Sequence, residues 1–425
     1  MEKVLLIQNK HWSDGAYKNL YNRQIVDSIL NKSELKEIQI LLGVRRSGKS
    51  TIFKLLINHL IEQVNPKEIL NINIDDPVYF EVWNKPQELY KIIERAEKLT
   101  GVKIKYLFLD EIQNVSNSEK FIKSVYDSEL FKKIYITGSN SVLLQGNYAK
   151  LLTGRYIIDF VYPLSFKELL KVNKISEKLK LYNNKSKVLV LLDDMIDYGS
   201  FPEIIKIKSR ELRRELLISY FEAIVMKDCI FNHKIREARM LKELAFYLVS
   251  NISSVFSYLS LSKATFQNEN SLKSYVNILT DSFLLYESTN FSYSLKQNSK
   301  PKRKIYCIDN GMPAQLAYKF TDNKGRLFEN LVYTELIKKG LEEIYFYNEN
   351  KECDFIIKKG KDLIAIQVAY ELNEQNRARE IKSLEYSMDK LKINKAYIIT
   401  YNIKEELNDR IEVVPFWLFF SGFYF

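Results

Sequence analysis

The chain has 425 residues, 46 % of them apolar and 28 % charged, and its 64 basic against 53 acidic side chains leave a formal net charge of +11. That length predicts about two to four domains; no run approaches the ~18 consecutive apolar residues of a membrane span, and the opening stretch lacks the apolar core and cleavage site of a secretory signal. Three scattered cysteines (Cys229, Cys307, Cys353) with no CxxC pair and three scattered histidines (His11, His59, His233) exclude a thiolate zinc knuckle and a disulfide framework and suit a reducing cytoplasm, while the lysines, spread along the chain, admit a polyanionic partner without marking one patch.

Residues 38–42 read as a short buried strand running into Gly43-Val44-Arg45-Arg46-Ser47-Gly48-Lys49-Ser50-Thr51, with an amphipathic helix over 52–61. This is the pattern GxxxxGK[ST] between a strand and a helix, the context a phosphate-cradling loop requires. Gly43 and Gly48 let the backbone wrap so that successive N–H groups face phosphate, and the helix start near Lys49 adds its positive end. In that role Lys49 reaches the β- and γ-phosphates of ATP and the Ser50 hydroxyl ligates Mg2+. Arg46, Ser47 and Thr51 complete the candidate nucleotide contacts.

Residues 69–74 read as a further strand ending in Asp75-Asp76, acids that cap or brace the loop. Residues 106–109 form another, and Asp110 follows as the second Mg2+ ligand, with Glu111 as candidate general base for the attacking water. Residues 133–137 lead into Gly138-Ser139-Asn140. Ligands sit beyond the carboxyl ends of parallel strands, so Ser139 or Asn140 is expected to meet the γ-phosphate or the lytic water. Arg155 is a candidate to stabilise the transferring phosphoryl group, in cis or across a subunit boundary, which leaves a homo-oligomer open.

GVRRSGKST, YLFLDEIQNV, ITGSN and TGRYIIDFVYPLSFKEL together resemble a family of prokaryotic AAA-like ATPases in which an AAA-type domain precedes a conserved C-terminal domain of the DUF4143 type. The similarity runs along nearly the whole chain. It implies an AAA-like core and ATPase activity, with Gly43, Gly48, Lys49 and Ser50 matching the family P-loop and Asp110 and Glu111 its second acidic motif. Ser139 and Asn140 match its polar sensor, and Gly154-Arg155 with Pro163-Leu164-Ser165-Phe166 match the segment that follows. It implies no particular substrate.

In the middle of the chain, 175–187 reads as a linker or exposed helix end, and Gly199-Ser200-Phe201-Pro202-Glu203 as a packed joint. Charged and apolar residues alternate at helical spacing over 209–249, predicting two helices with Asp228 and Cys229 between them. Helices over 244–259, 261–264 and 271–279, followed by strands at 284–286 and 304–308, predict a winged helix-turn-helix. On DNA, its third helix would enter the major groove. Lys263, Lys273, Lys296, Lys300, Lys302, Arg303 and Lys304 are the candidate phosphate contacts.

From 328 onward the order is helix, strands at 344–347, 353–357 and 363–368, a helix over 377–388 and a strand at 396–400. This resembles the restriction-endonuclease-like core, whose Mg2+ is held by a helix glutamate, an aspartate and an E-x-K strand. Glu329 and Asp354 match; Gln367 and Ala369 do not, since an amide brings no charge to a hard cation and alanine brings no cation to the water. Lys351 or Lys358 would have to substitute. The residues 413–425 are aromatic and uncharged, and read as a buried last strand or an oligomer contact.

The expected architecture is thus α/β throughout: a P-loop ATPase domain with a parallel sheet over 1–170, a helical and winged-helix region over 188–310, and a catalytically degenerate nuclease-like domain over 320–425. The leading functional expectation is Mg2+-dependent ATP hydrolysis driving a conformational switch on a macromolecule, DNA being one candidate. An ATP-gated adaptor that docks a protein partner and an ATP-regulated nuclease are the alternatives.

Overall fold

The computed structural model describes residues 1–144, 146–293, 302–316 and 324–423. Their contacts gather into two compact units, Met1–Tyr162 with Asp281–Phe283, and Pro163–Thr280 with Leu284–Phe425.

The first unit is built on β1 (Ile38–Leu42), β2 (Ile69–Asn73), β3 (Tyr106–Asp110), β4 (Lys133–Gly138) and β5 (Tyr156–Phe160). All pair in parallel, in the order β2-β3-β4-β1-β5. β1, β3 and β4 are buried along their whole length, and β3 accordingly reads as a continuous apolar run up to Asp110. The helix Lys49–Leu60 lays Ile52, Phe53, Leu56 and Ile57 on Leu41, Phe108 and Tyr135. The rings of Phe53 and Phe108 meet edge to face, and Phe108 stacks on Tyr135 at 4.4 Å. Placing β4 between β1 and β3 brings three carboxyl-terminal strand ends side by side.

β2 is an edge strand, and edge strands leave backbone groups open to wrong pairing. Here side chains from the N-terminal segment close it. Asn9 donates to Asn71 O at 2.9 Å and accepts from Asn71 N at 2.7 Å. Gln8 Oε1 accepts from Asn73 N at 2.9 Å, and Trp12 Nε1 donates to Ile69 O at 2.7 Å. His11 joins them: its Nε2 lies 3.1 Å from Ile69 O and its Nδ1 3.0 Å from the Tyr17 hydroxyl. A carbonyl can only accept, so Nε2 carries the proton and Nδ1 accepts in the neutral ring.

Burial pushes the His11 pKa down from 6.5 to about 4, the hydrogen bond to Ile69 acting in the opposite direction. The folded value lies below the unfolded one, so the unfolded chain binds the proton first as pH falls. The native state keeps its full stability above pH 6.5 and loses it progressively towards pH 4. By pH 5 the loss amounts to about 2 kcal/mol. Urea midpoints of the wild type at pH 7 and pH 5 should show it, and His11→Gln should remove most of the difference; an equal acid loss in both proteins would assign the effect elsewhere.

In the second unit the helices Lys178–Asn183 and Lys185–Tyr198 follow the helix Phe166–Val172. The joint at Gly199 is sterically fixed: φ is +72°, and a Cβ there would sit 1.6 Å from Asp309 Oδ1. Two expectations change in the next stretch. Asp228 and Cys229 do not separate two helices; the helix Arg210–Ala223 continues into a widened π-type segment, Ile224–Phe231, which buries both residues. The helix expected over 244–259 instead ends as Ala238–Ser250, and the chain extends into β6 (Val255–Phe256). Ser253, at φ +60°, donates its N–H to Ile305 O and so starts the sheet, which outweighs the helical periodicity.

Helices Tyr258–Thr265 and Glu269–Asp281 come next, then β7 (Leu285–Thr289) and β8 (Arg303–Cys307). β6, β8 and β7 form a three-stranded antiparallel sheet in that order. Lys296 and Lys300, between β7 and β8, lie outside the described residues. After the helix Lys324–Lys338, β9 (Ile344–Asn348), β10 (Glu352–Lys359), β11 (Asp362–Ala369), β12 (Ala396–Thr400), β13 (Glu405–Asn408) and β14 (Ile411–Pro415) make a mixed six-stranded sheet, ordered β13-β14-β12-β11-β10-β9. The helix Arg377–Leu391 packs Leu384, Met388 and Leu391 over it. β13 carries no signal in the sequence reading; the last strand expected over 413–425 is limited to β14, and past it the aromatic end turns into the short buried helix Phe416–Phe419.

Candidate nucleotide site

The loop between β1 and the helix Lys49–Leu60 alternates handedness. Arg46 has φ +72° and Gly48 φ +102°, a sequence of conformations that turns successive N–H groups to one side as an anion nest. Gly43 is required for a different reason from the one its motif suggests. A Cβ there would lie 2.1 Å from the carbonyl oxygen of Val161, so glycine allows the end of β5 to pass. The Ser47 hydroxyl is buried with no partner among the described residues, as a group kept for a ligand would be.

Lys49 is 4 % exposed, and its ammonium donates to Gly43 O at 2.9 Å and Val44 O at 3.3 Å, with Glu111 Oε1 at 3.6 Å. Asp110, the last residue of β3, accepts from the Thr137 hydroxyl at 2.5 Å, and the Ser50 hydroxyl lies near enough to act on its charge. The two candidate Mg2+ ligands, Ser50 and Asp110, are therefore neighbours. Glu111 follows in the left-handed region at φ +58°, held there by its N–H on Thr137 Oγ1 at 2.9 Å. Gln113 Nε2 bonds Glu111 and, at 3.2 Å, Ser139 Oγ. Ser139 and Asn140 lie buried just past β4. This set of an ammonium, a hydroxyl and two carboxylates has the composition that a Mg2+-bound triphosphate needs.

Charge is finely divided between the two acids. Burial, then the neighbouring Glu111 carboxylate, pushes Asp110 above the usual range, against its bonds to Ser50 and Thr137. For Glu111 burial acts in the same upward direction, but the Lys49 ammonium, Gln113 and Arg45 outweigh it and hold the carboxyl below its ordinary value. Glu111 thus stays ionised beside Lys49, as a group that accepts a proton must.

Several contributors carry no motif. Arg23, 5 % exposed, donates to Ser47 O at 3.0 Å and to Tyr162 O at 2.6 Å, tying the loop to the chain past β5. Arg23→Ala leaves buried carbonyls without their donor and should destabilise this unit by about 1–3 kcal/mol, read from its urea midpoint; an unchanged midpoint would mean that the clamp holds nothing. Asp75 accepts from Asn114 at 3.0 Å and Asp76 caps the turn Pro77–Tyr79, so both brace the rim. Arg155 is corrected for action in cis. It precedes β5, its carbonyl accepts from Ile38 N, and it pairs with Asp127 at 3.0 Å. With Ile38 opposite Tyr156 and Leu42 opposite Phe160, it lies at the amino ends of the strands, roughly 13 Å of strand away from the loop.

Two further candidate regions belong to the second unit. The helix Glu269–Asp281 buries Leu272, Val276, Ile278 and Leu279 and exposes Asn270, Ser271, Lys273, Ser274 and Asn277, a polar face without an acid. Lys263 is also exposed, and Lys302 bonds Asn348 Oδ1. Arg303 is paired with Glu287 at 2.6 Å. Lys304 is corrected as a phosphate contact: it is 1 % exposed and bonded to Glu329 and Asp354. In the C-terminal sheet Gln367 bonds Glu380, and Lys358 pairs with Glu343, so neither restores the missing E-x-K chemistry. Among the described residues no group of three or more His, Cys, Asp or Glu side chains is arranged to hold a metal ion, and no helix is long and apolar enough to cross a membrane.

Family models match the chain in three consecutive stretches: an AAA domain over residues 35–170, a domain of unknown function (DUF8612) over 190–323 and another (DUF4143) over 324–419. The uncharacterized protein MJ1544 of Methanocaldococcus jannaschii is 35 % identical over 401 residues, 90 % of this chain and 87 % of that protein. An uncharacterized protein of Haemophilus influenzae is 29 % identical over 385 residues, 89 % of this chain and 92 % of its own. Among solved structures, the Aeropyrum pernix ORC1 protein in complex with DNA covers 79 % of this chain and 98 % of its own at 11 % identity, with a TM-score of 0.34, too remote to carry an argument. Identity with MJ1544 at that level and over that length shows kinship, and the chain belongs to the MJ1544 family, as a protein in which an AAA domain is followed by DUF8612 and DUF4143 domains.

Proposed function

We propose that the protein binds Mg2+ and ATP at Gly43, Arg46, Ser47, Gly48, Lys49, Ser50 and Thr51, hydrolyses ATP, and uses the cycle to switch the conformation of a macromolecular complex. The observation that carries this is the buried Lys49, bonded to the loop carbonyls and paired with Glu111, beside Asp110 at the end of β3 with Ser50 near it. Mg2+ would be held by Ser50 and Asp110 and would offset phosphate charge. Lys49 exchanges the loop carbonyls of Gly43 and Val44 for phosphate oxygens. Glu111, ionised and backed by Gln113, orients water and takes its proton, while Ser139 and Asn140 register the γ-phosphate. Arg155, at the far end of the sheet, could reach only the nucleotide of a second copy, which makes a homo-oligomer part of the proposal.

The partner we favour is duplex DNA, and we read β6, the two helices, β7 and β8 as a winged helix within a 188–310 region that separates the 1–170 ATPase from a 320–425 nuclease-like module without nuclease activity. The exposed Asn270, Ser271, Lys273, Ser274 and Asn277 support this, since amides, hydroxyls and a lysine on a helix facing outward suit a major groove. One observation favours a protein-docking adaptor instead: Phe266, in the turn between the two helices, is 95 % exposed. ATPase rates with and without duplex DNA at two salt concentrations separate them. DNA should stimulate turnover, salt should weaken the effect, and Lys273→Ala should reduce the apparent DNA affinity by about threefold to tenfold and lower the salt slope by about one. A rate indifferent to DNA at low salt leaves the adaptor.

A further inference from the structure

A second concentration of charge lies entirely within the second unit. The ammonium of Lys304, on β8, is 2.8 Å from Glu329 Oε1, 2.7 Å from Glu352 Oε1 and 3.4 Å from Asp354 Oδ1. Tyr306, farther along β8, donates to Glu329 Oε1 at 2.8 Å. The other oxygen of Asp354 accepts the Val368 N–H at 2.9 Å. β10 slips register against β9 between Cys353 and Ile356, the span that carries Asp354, and such a bulge re-aims side chains.

Glu329 and Asp354 are the two acids that the nuclease-like layout would give to a divalent ion. Carboxylate oxygens converging on one point from a helix and a strand are what a hard cation selects. The point is held instead by an ammonium the chain itself supplies. A lysine with only 1 % of its surface exposed is tolerated where carboxylates surround it: its ammonium donates to Glu329 and Asp354 and forms an ion pair with Glu352. We propose that Lys304 is the resident cation of this acid site: its ammonium takes the place of a divalent ion, closes the site to metal, and ties β8 to the helix Lys324–Lys338 and to β10.

Electrostatics agree with a filled site. Burial alone would strip the proton from Lys304, but Glu329, Asp354 and Glu352 more than reverse that and hold its pKa above the ordinary value. Burial and the neighbouring Glu329 push Asp354 up to about 8, against the pull of the Lys304 ammonium. The departure at Gln367 and Ala369 follows: a site with a fixed internal cation has no use for a third ligand or for a water-activating lysine.

The test is Mn2+ uptake by nucleotide-free protein, followed by the spin-resonance signal of free Mn2+, so its failure would leave the ATP site unaffected. The wild type and Lys304→Arg should take up no Mn2+ at this cluster. Lys304→Ala should gain one site, with affinity at least about tenfold above any wild-type uptake, and adding Asp354→Asn should remove it again. Mn2+ should also raise the melting temperature of Lys304→Ala and leave that of the wild type unchanged. A folded Lys304→Ala that takes up no Mn2+ overturns the proposal, as does a wild-type Mn2+ site that Asp354→Asn abolishes. So does a Lys304→Ala that remains unfolded with Mn2+ present; one that folds only with Mn2+ supports it.

Discussion

Lys49→Ala is expected to weaken ATP binding by about 30-fold or more, because truncating one partner of a buried charge contact costs ~2–5 kcal/mol and each ~1.4 kcal/mol is tenfold. The geometry explains why the effect should be large. The ammonium is almost wholly buried, and its neighbours are the loop's own Gly43 and Val44 carbonyls and the Glu111 carboxylate. Without it the Glu111 carboxyl loses the largest influence holding its pKa down and should shift upward. Binding and the ionised form of the base are therefore diminished together. Calorimetric titration with ATP and Mg2+ measures the first, and an unchanged far-ultraviolet dichroism spectrum would attribute the loss to the site and not to unfolding.

Glu111→Gln should separate the two functions. The amide keeps the volume of the carboxylate and its contact with Gln113, but it cannot accept a proton. Turnover should fall by about 100-fold or more, the range general-base catalysis spans, while ATP affinity stays within about threefold. The backbone cost of φ +58° is the same for both residues, so the variant should fold. Single-turnover phosphate release resolves it; hydrolysis at the wild-type rate would remove Glu111 from the proton transfer and leave it a positioning contact for Lys49.

What could be read before the fold was known follows chain locality. The segment from Gly43 to Thr51 announces itself because a strand, a loop and a helix start must be contiguous to bind phosphate, and Asp110 because its strand is buried on both faces. Arg23 carried no such signal: its acceptors, Ser47 and Tyr162, are far from it and from each other in sequence, and it belongs to no pattern. Thr137 and Gln113 matter because β4 lies beside β3, and strand order is not a property of either segment alone. Arg155 shows the same limit from the other side. Its neighbours in sequence suggested chemistry, yet the parallel register of β5 with β1 sends it to the opposite edge of the sheet. Lys304 looked like one of several basic residues on a ribbon, and only alternation along β8 turned it inward while Arg303 paired outside with Glu287. The helix expected across 244–259 failed for a comparable reason. Apolar spacing is compatible with helix there, but Ser253 pairs with Ile305, over fifty residues away, and a sheet edge wins.

The central claim concerns one pocket, and the most direct measurement is calorimetric titration of nucleotide-free wild type with ATP, with Mg2+ and again in excess chelator. The account predicts one ATP per chain, an affinity that drops without Mg2+, and loss of that Mg2+ dependence in Ser50→Ala and Asp110→Asn. A folded protein whose ATP affinity is the same with and without Mg2+, or that binds no ATP, would contradict it.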